Sequence, residues 1–314
     1  MVSKSLSASG FYPWQTTINM KISLTGIGLH KGDNIDITLM PTKANSGIRF
    51  IRTDLNCDII KRIVIPNYKN VSDTNMCTTI KNDYDVQIST IEHLMAAFSG
   101  TGLDNVDVEI NGSEVPIMDG SSDQFVNLIE STGLIKLPEK RKFLKITKPV
   151  EIRDGDKKCS LSPCDKMKFF ASIDFSDKVI GKQEASVNLE NFNFKNDVSK
   201  ARTFGFMQDV EALRRSGLGL GGSLENCVII DNNEVINSEG LRFDNEFVVH
   251  KLLDAVGDIF TSGFRIQGEY RGYLCGHHMN NLLLKELFDN EDSFEFIEID
   301  EKNSPENKNK LLTA

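Results

Sequence analysis

Only five histidines occur in the 314 residues, His30, His93, His250, His277 and His278, and three of them stand beside other groups able to move protons or hold a metal. His93 follows Glu92 in STIEHLMAAF. His250 begins HKLLDAVGD, with Lys251 beside it and Asp254 and Asp258 four and eight residues on. His277 follows a glycine in CGHHMNN. A His and an Asp one helical turn apart can aim a nitrogen and an oxygen at one point. With His93 the count is two nitrogens and one oxygen, which leaves a fourth position for water, as in catalytic rather than structural zinc. Glu92, next to a ligand without being one, suits a general base. His277, outside the ligand set, suits an acid that protonates an amine as it leaves. Asp258 can hold His277 in the right tautomer, and Lys251 and Thr203 can stabilise an oxyanion.

Each feature also has a plainer reading. Most polar helix faces are simply solvated. Ser89 and Glu92 have the spacing of a capping box. Two histidines and two asparagines near a helix start, in a loop before the last helix, suit caps and surface groups.

The elements that must carry these groups are legible in part. From Arg242 to Asp258 the sequence winds as an amphipathic helix, with His250, Asp254 and Asp258 inside an arc of roughly 80°. Val248, Val249, Leu252, Ala255, Val256 and Ile259 take the other side and face a core. Between Thr16 and Ile110, alternating runs such as NIDITLM and NVDVEI predict strands, while STIEHLMAAFSG and SDQFVNLIEST predict helices, a mixed α+β pattern. TGLIKLPEKRK (132–142) loses periodicity and gains Pro and charge, which marks a linker. The expected division is 1–133, 134–290 with a strand–helix–strand insertion at about 201–231, and an acidic, disordered tail at 291–314. GLGLGG (217–222) follows a helix and lacks the Lys-Ser/Thr of a phosphate loop, so it reads as a turn needing positive φ or close packing.

A composition of 39% hydrophobic and 26% charged residues allows two cores. The net charge of −9 argues against a nucleic-acid surface. Six cysteines without C-x-x-C spacing, and no apolar leader, point to reduced thiols in the cytoplasm. No apolar run is long enough for a transmembrane helix.

The stretches beginning TTIKNDYDVQISTIEHLMAAFSG and ARTFGFMQDVEALRRSGLGLGG, with LRFDNEFVVHKLLDAVGDI, GHHMNN and TGIGLHKG, together resemble the UDP-3-O-acyl-N-acetylglucosamine deacetylases, zinc amidases of lipid A biosynthesis, over about residues 15 to 288. The resemblance implies two similar α+β domains, each a β-sheet packed on helices, with the helix layers sandwiched between the two sheets and the metal at the domain interface. It implies one Zn²⁺, with Fe²⁺ as an in-cell alternative, held by His93, His250 and Asp254. Glu92 would be the base, His277 the acid, Asp258 its partner, Thr203 the oxyanion contact and Lys251 a neighbour of substrate phosphate. Met76, Cys77, Phe204, Val210, Leu218, Gly222 and Ser223 would line a passage for the hydroxyacyl chain of an acylated UDP-sugar substrate. A cytoplasmic monomer is expected. Where relatives often carry a cation before the G-H motif this chain has Leu274, which Arg265 or Arg271 would have to replace; His30 and His278 have no assigned role. The rival readings are a zinc peptidase or other amidohydrolase with the same ligands, and a binding module with structural zinc.

Overall fold

The computed structural model describes residues 10–190 and 193–300. Its helices are α1 (Ile59–Arg62), α2 (Glu92–Thr101), α3 (Asp123–Thr132), α4 (Met207–Arg215), α5 (Glu246–Phe260) and α6 (His277–Asp289). A five-stranded sheet runs in the order Ile22–Ile27, Asn34–Pro41, Val106–Ile110, Ile48–Arg52, Ile63–Val64. A seven-stranded sheet is built around the long strand Arg265–Tyr273, which pairs with Lys142–Ile146, Lys157–Ser162 and Met167–Asp174. The architecture is mixed α+β.

Alternation decides which face of each strand is buried. In Asn34–Pro41, Ile35, Ile37 and Leu39 turn inward while Asn34 and Asp36 stay exposed, as a period of two requires. These residues share one apolar cluster with Leu94, Met95 and Phe98 of α2, Phe125 and Ile129 of α3, and the buried side chains of α5, α6 and the larger sheet. Helix α2 packs on α5, and α5 in turn packs on α6 and on the strands Met167–Asp174 and Lys182–Asn188. Gly257 makes the α2–α5 contact possible: a Cβ there would lie 2.0 Å from the carbonyl oxygen of Glu92. The two site-bearing helices therefore touch backbone to backbone beside Glu92.

The polar stripe of α5 does not face water, so its plainer reading fails: every residue from Glu246 to Phe260 except Lys251 is buried, because α2, α6 and strands enclose the helix. Two expectations from the sequence are corrected. The linker 132–142 is mostly strand. Leu134–Lys140 pairs antiparallel with Trp14–Ile18 in a two-stranded ribbon, whose half-exposed position explains its weak alternation and its Pro138. The acidic tail begins with structure, since Phe294–Glu298 adds an antiparallel edge to Lys142–Ile146 and packs Phe294 and Ile297 on the core; residues 301–314 lie outside the described residues. The insertion consists of Phe204–Phe206, α4 and Val228–Asp231, its two strands parallel. GLGLGG is a turn with positive φ at Gly217 and Gly219, and a Cβ at Gly221 would sit 2.2 Å from the carbonyl oxygen of Gly28.

Candidate active site

Three ligand atoms converge where α2 meets α5. His93 Nε2 lies 3.5 Å and His250 Nε2 3.4 Å from Asp254 Oδ1, and the two rings stand edge to face with centroids 5.0 Å apart. All three side chains are buried, and one atom from each lies within 4.8 Å of the others. Both separations are too long for good hydrogen bonds. Asp254 Oδ1 accordingly has no hydrogen-bond partner among the described residues, although its other oxygen accepts from Lys251 Nζ at 2.8 Å. A buried carboxylate oxygen without a partner is costly, and a cation between it and the two imidazoles removes that cost. The residues therefore fit a metal ion, offering two nitrogens and one oxygen, one donor short of a tetrahedral set.

The protonation states agree with that role. Burial drives the His250 pKa down to about 3, leaving a neutral ring able to donate a lone pair. Its Nδ1 lies 3.1 Å from the carbonyl oxygen of Ala201, which fixes the tautomer that keeps Nε2 free. Burial opposes charge on Asp254, but the groups around it, among them the Lys251 ammonium bonded to Oδ2, outweigh burial and hold the carboxyl well below its usual range.

Glu92 does not cap its helix. Helix α2 starts at Glu92 with Ile91 in the cap position, and Glu92 Oε2 instead accepts the backbone N–H of Thr78 at 3.0 Å. Burial raises its pKa, against the pull of His277 and His93. His277 is the first residue of α6 rather than part of a preceding loop, with Gly276 as its cap. Its Nδ1 is 2.8 Å from Asp258 Oδ2 and its Nε2 is 3.9 Å from Glu92 Oε1. Burial disfavours the imidazolium, yet Asp258 and Glu92 together lift its pKa up to about 10. Glu92 and the His277 ring thus face one another beside His93.

A cavity of ≈ 300 Å³ lies against the insertion, and Met76, Thr203, Phe204, Val210, Gly222 and Ser223 are among its lining residues. Leu218 and Cys77 do not line it: Leu218 sits on the turn after α4, and Cys77 is buried beside Thr79. Phe204 reaches the metal cluster from the cavity wall, its ring centroid 6.2 Å from that of His250. Neither Arg265 nor Arg271 stands in for Leu274. Arg265 is buried at the end of α2, bonded to Asp104 and to the carbonyls of Phe98 and Ser99, and Arg271 pairs with Glu269 over the Phe170 ring. His278 is an exposed contact of Thr74.

Several supports escaped the sequence reading. Glu246, one turn before His250 on the same stripe, is fully buried and accepts from Arg202 Nε at 2.8 Å and the Arg202 backbone N–H at 3.0 Å, anchoring the segment whose Ala201 carbonyl orients His250. Extending the four-residue period backwards would have found Glu246. Asn280 Nδ2 donates to Asp258 Oδ2 at 2.8 Å while Tyr270 donates to Asn280 at 2.6 Å. No local pattern signals either.

A buried two-histidine, one-carboxylate cluster with a proton donor and acceptor beside it places the chain in the class of metal-dependent hydrolases. Residues 15–289 match the family model described as UDP-3-O-acyl N-acetylglycosamine deacetylase. The chain is 43% identical over 291 residues to the UDP-3-O-acyl-N-acetylglucosamine deacetylase of Idiomarina loihiensis, covering 92% of this chain and 94% of that one. It is also 43% identical to the enzymes of that name from Aliivibrio fischeri, over 93% of this chain and 95% of the relative, and Campylobacter jejuni, over 91% and 95%. The chain belongs to this deacetylase family.

Proposed function

We propose that this chain hydrolyses the N-acetyl group of UDP-3-O-(3-hydroxyacyl)-N-acetylglucosamine, releasing acetate in the committed step of lipid A biosynthesis, with Zn²⁺ held by His93, His250 and Asp254. The observation that carries the reading is the convergence of two Nε2 atoms on the unpartnered Asp254 Oδ1. When bound there, the ion polarises the acetamide carbonyl and brings the pKa of water towards neutrality. The ligand set also accepts Fe²⁺, and supply decides between them.

Glu92 takes the proton from the attacking water through Oε1, since Oε2 is engaged by the Thr78 amide. His277 then delivers a proton from Nε2 to the leaving amine, while Asp258 keeps Nδ1–H in place. One water is consumed, and acetate and the free amine leave. Thr203 and Lys251 serve the developing oxyanion and the phosphate side of the substrate. The cavity walled by Met76, Phe204, Val210, Gly222 and Ser223 takes the hydroxyacyl chain. We read the chain as two domains, 1–133 and 134–290, and the enzyme as a cytoplasmic monomer. No helix among the described residues is long and apolar enough to cross a membrane.

The test is acetate release from the acylated UDP-sugar by metal-loaded protein, with acetylated peptides as competitors for the assignment. Turnover of the sugar nucleotide alone, lost on chelation and restored by Zn²⁺, is the expected result. Preference for peptides, or turnover indifferent to metal, overturns the reading.

A further inference from the structure

Thr78 belongs to none of the groups assigned so far, yet it touches both sides of the proton-transfer machinery. It is 2% exposed and stands just before the strand Thr79–Lys81. Its backbone N–H donates to Glu92 Oε2 at 3.0 Å. Its hydroxyl donates to Asp258 Oδ1 at 2.6 Å. Its carbonyl accepts from Ile91 N–H at 3.4 Å, at the cap of α2. One residue thus meets the start of α2, the carboxylate on α2 and the carboxylate on α5.

The bonding of Asp258 shows what the hydroxyl contributes. Oδ2 receives both His277 Nδ1 and Asn280 Nδ2 at 2.8 Å, and Thr78 is the side-chain donor on Oδ1. A carboxylate held on one oxygen only can swing about its Cβ–Cγ bond. With Oδ1 also held, Oδ2 stays pointed at the imidazole, and through it Nε2 keeps its position opposite Glu92.

We propose that Thr78 is a positioning residue that sets the placement of base relative to acid, its amide holding Glu92 and its hydroxyl holding Asp258 and hence His277. The inference rests on the reading of Glu92 and His277 as base and acid. A residue of this kind acts on the proton transfers and not on substrate affinity or on the metal, to whose three ligands it makes no hydrogen bond among the described residues.

Thr78→Val keeps the shape and the amide while deleting the hydroxyl. Losing a hydrogen bond to a charged acceptor is expected to lower kcat roughly tenfold to a hundredfold, with KM and bound metal unchanged. Thr78→Ser, which keeps the hydroxyl, is expected to restore most of kcat. Should the Val variant not fold, Thr78→Ala takes its place, with the same loss and the same rescue expected. Unchanged kcat in Thr78→Val, or a loss shared by KM and metal content that Ser does not rescue, overturns the inference. Glu92→Gln and His277→Ala, assayed alongside, separate the two failures. If both are inactive while Thr78→Val turns over normally, only the role of Thr78 is wrong. If either keeps its activity, the acid–base reading itself fails.

Discussion

Replacing Asp258 by Asn removes the charge that keeps His277 protonated while leaving the metal ligands untouched. In the wild type burial works against the imidazolium, and Asp258 with Glu92 overcomes it to place the pKa at about 10. Against the ordinary 6.5, and at about 1.4 kcal/mol per pH unit, that is on the order of 5 kcal/mol in favour of the charged ring. The sign follows: a raised pKa means that His277 keeps its proton, and the enzyme its acid, until pH rises through about 10. In Asp258→Asn burial has less to oppose it, with Glu92 and Asp254 left to favour the charged ring, and the pKa falls. A smaller share of the rings then carries the proton at neutral and basic pH, so kcat falls there and the basic limb of its profile moves to lower pH. The assay is kcat against pH from 5.5 to 10.5, with metal content measured on the same samples. A variant whose basic limb stays near the wild-type position would refute the claim that Asp258 sustains the acid.

Three further outcomes are expected. Glu92→Gln should retain the metal and lose roughly 10²- to 10⁴-fold in kcat, whereas His250→Ala should lose the metal, both read by elemental analysis and acetate release. Gly222→Leu, in the cavity wall, should raise KM for long hydroxyacyl substrates more than for short ones, and equal effects on both would count against an acyl passage. Gly257→Ala places a methyl against the Glu92 backbone; it should destabilise the fold by about 1–3 kcal/mol and weaken metal binding together, as thermal unfolding with and without Zn²⁺ would record.

The ligand positions were readable because chemistry repeats with the helix period. His250, Asp254 and Asp258 fall on one stripe at a spacing of four, and the fold keeps them on one side of α5. What the period cannot tell is what covers the stripe. The packing of α2 against α5, permitted at Gly257, together with α6 and the strands around it, turns the stripe from a solvated face into a buried site. His93 and Glu92 were legible as a pair of reactive groups, but the choice between cap and base depended on Thr78, fourteen residues earlier, reaching Glu92 through a backbone amide. Arg202, Asn280 and Tyr270 likewise act through tertiary contacts that leave no local trace. In the fold, strands within sheets announced themselves by alternation. Leu134–Lys140 and Phe294–Glu298 did not, because a ribbon and an edge strand leave much of their surface exposed and tolerate proline and charge.

Anomalous diffraction from crystals of the metal-loaded protein, recorded across the zinc edge, asks the central question directly. One ion bound by His93 Nε2, His250 Nε2 and Asp254 Oδ1, with solvent completing its shell, is the result expected. An ion elsewhere, or one closed off by a fourth protein ligand, would contradict the account.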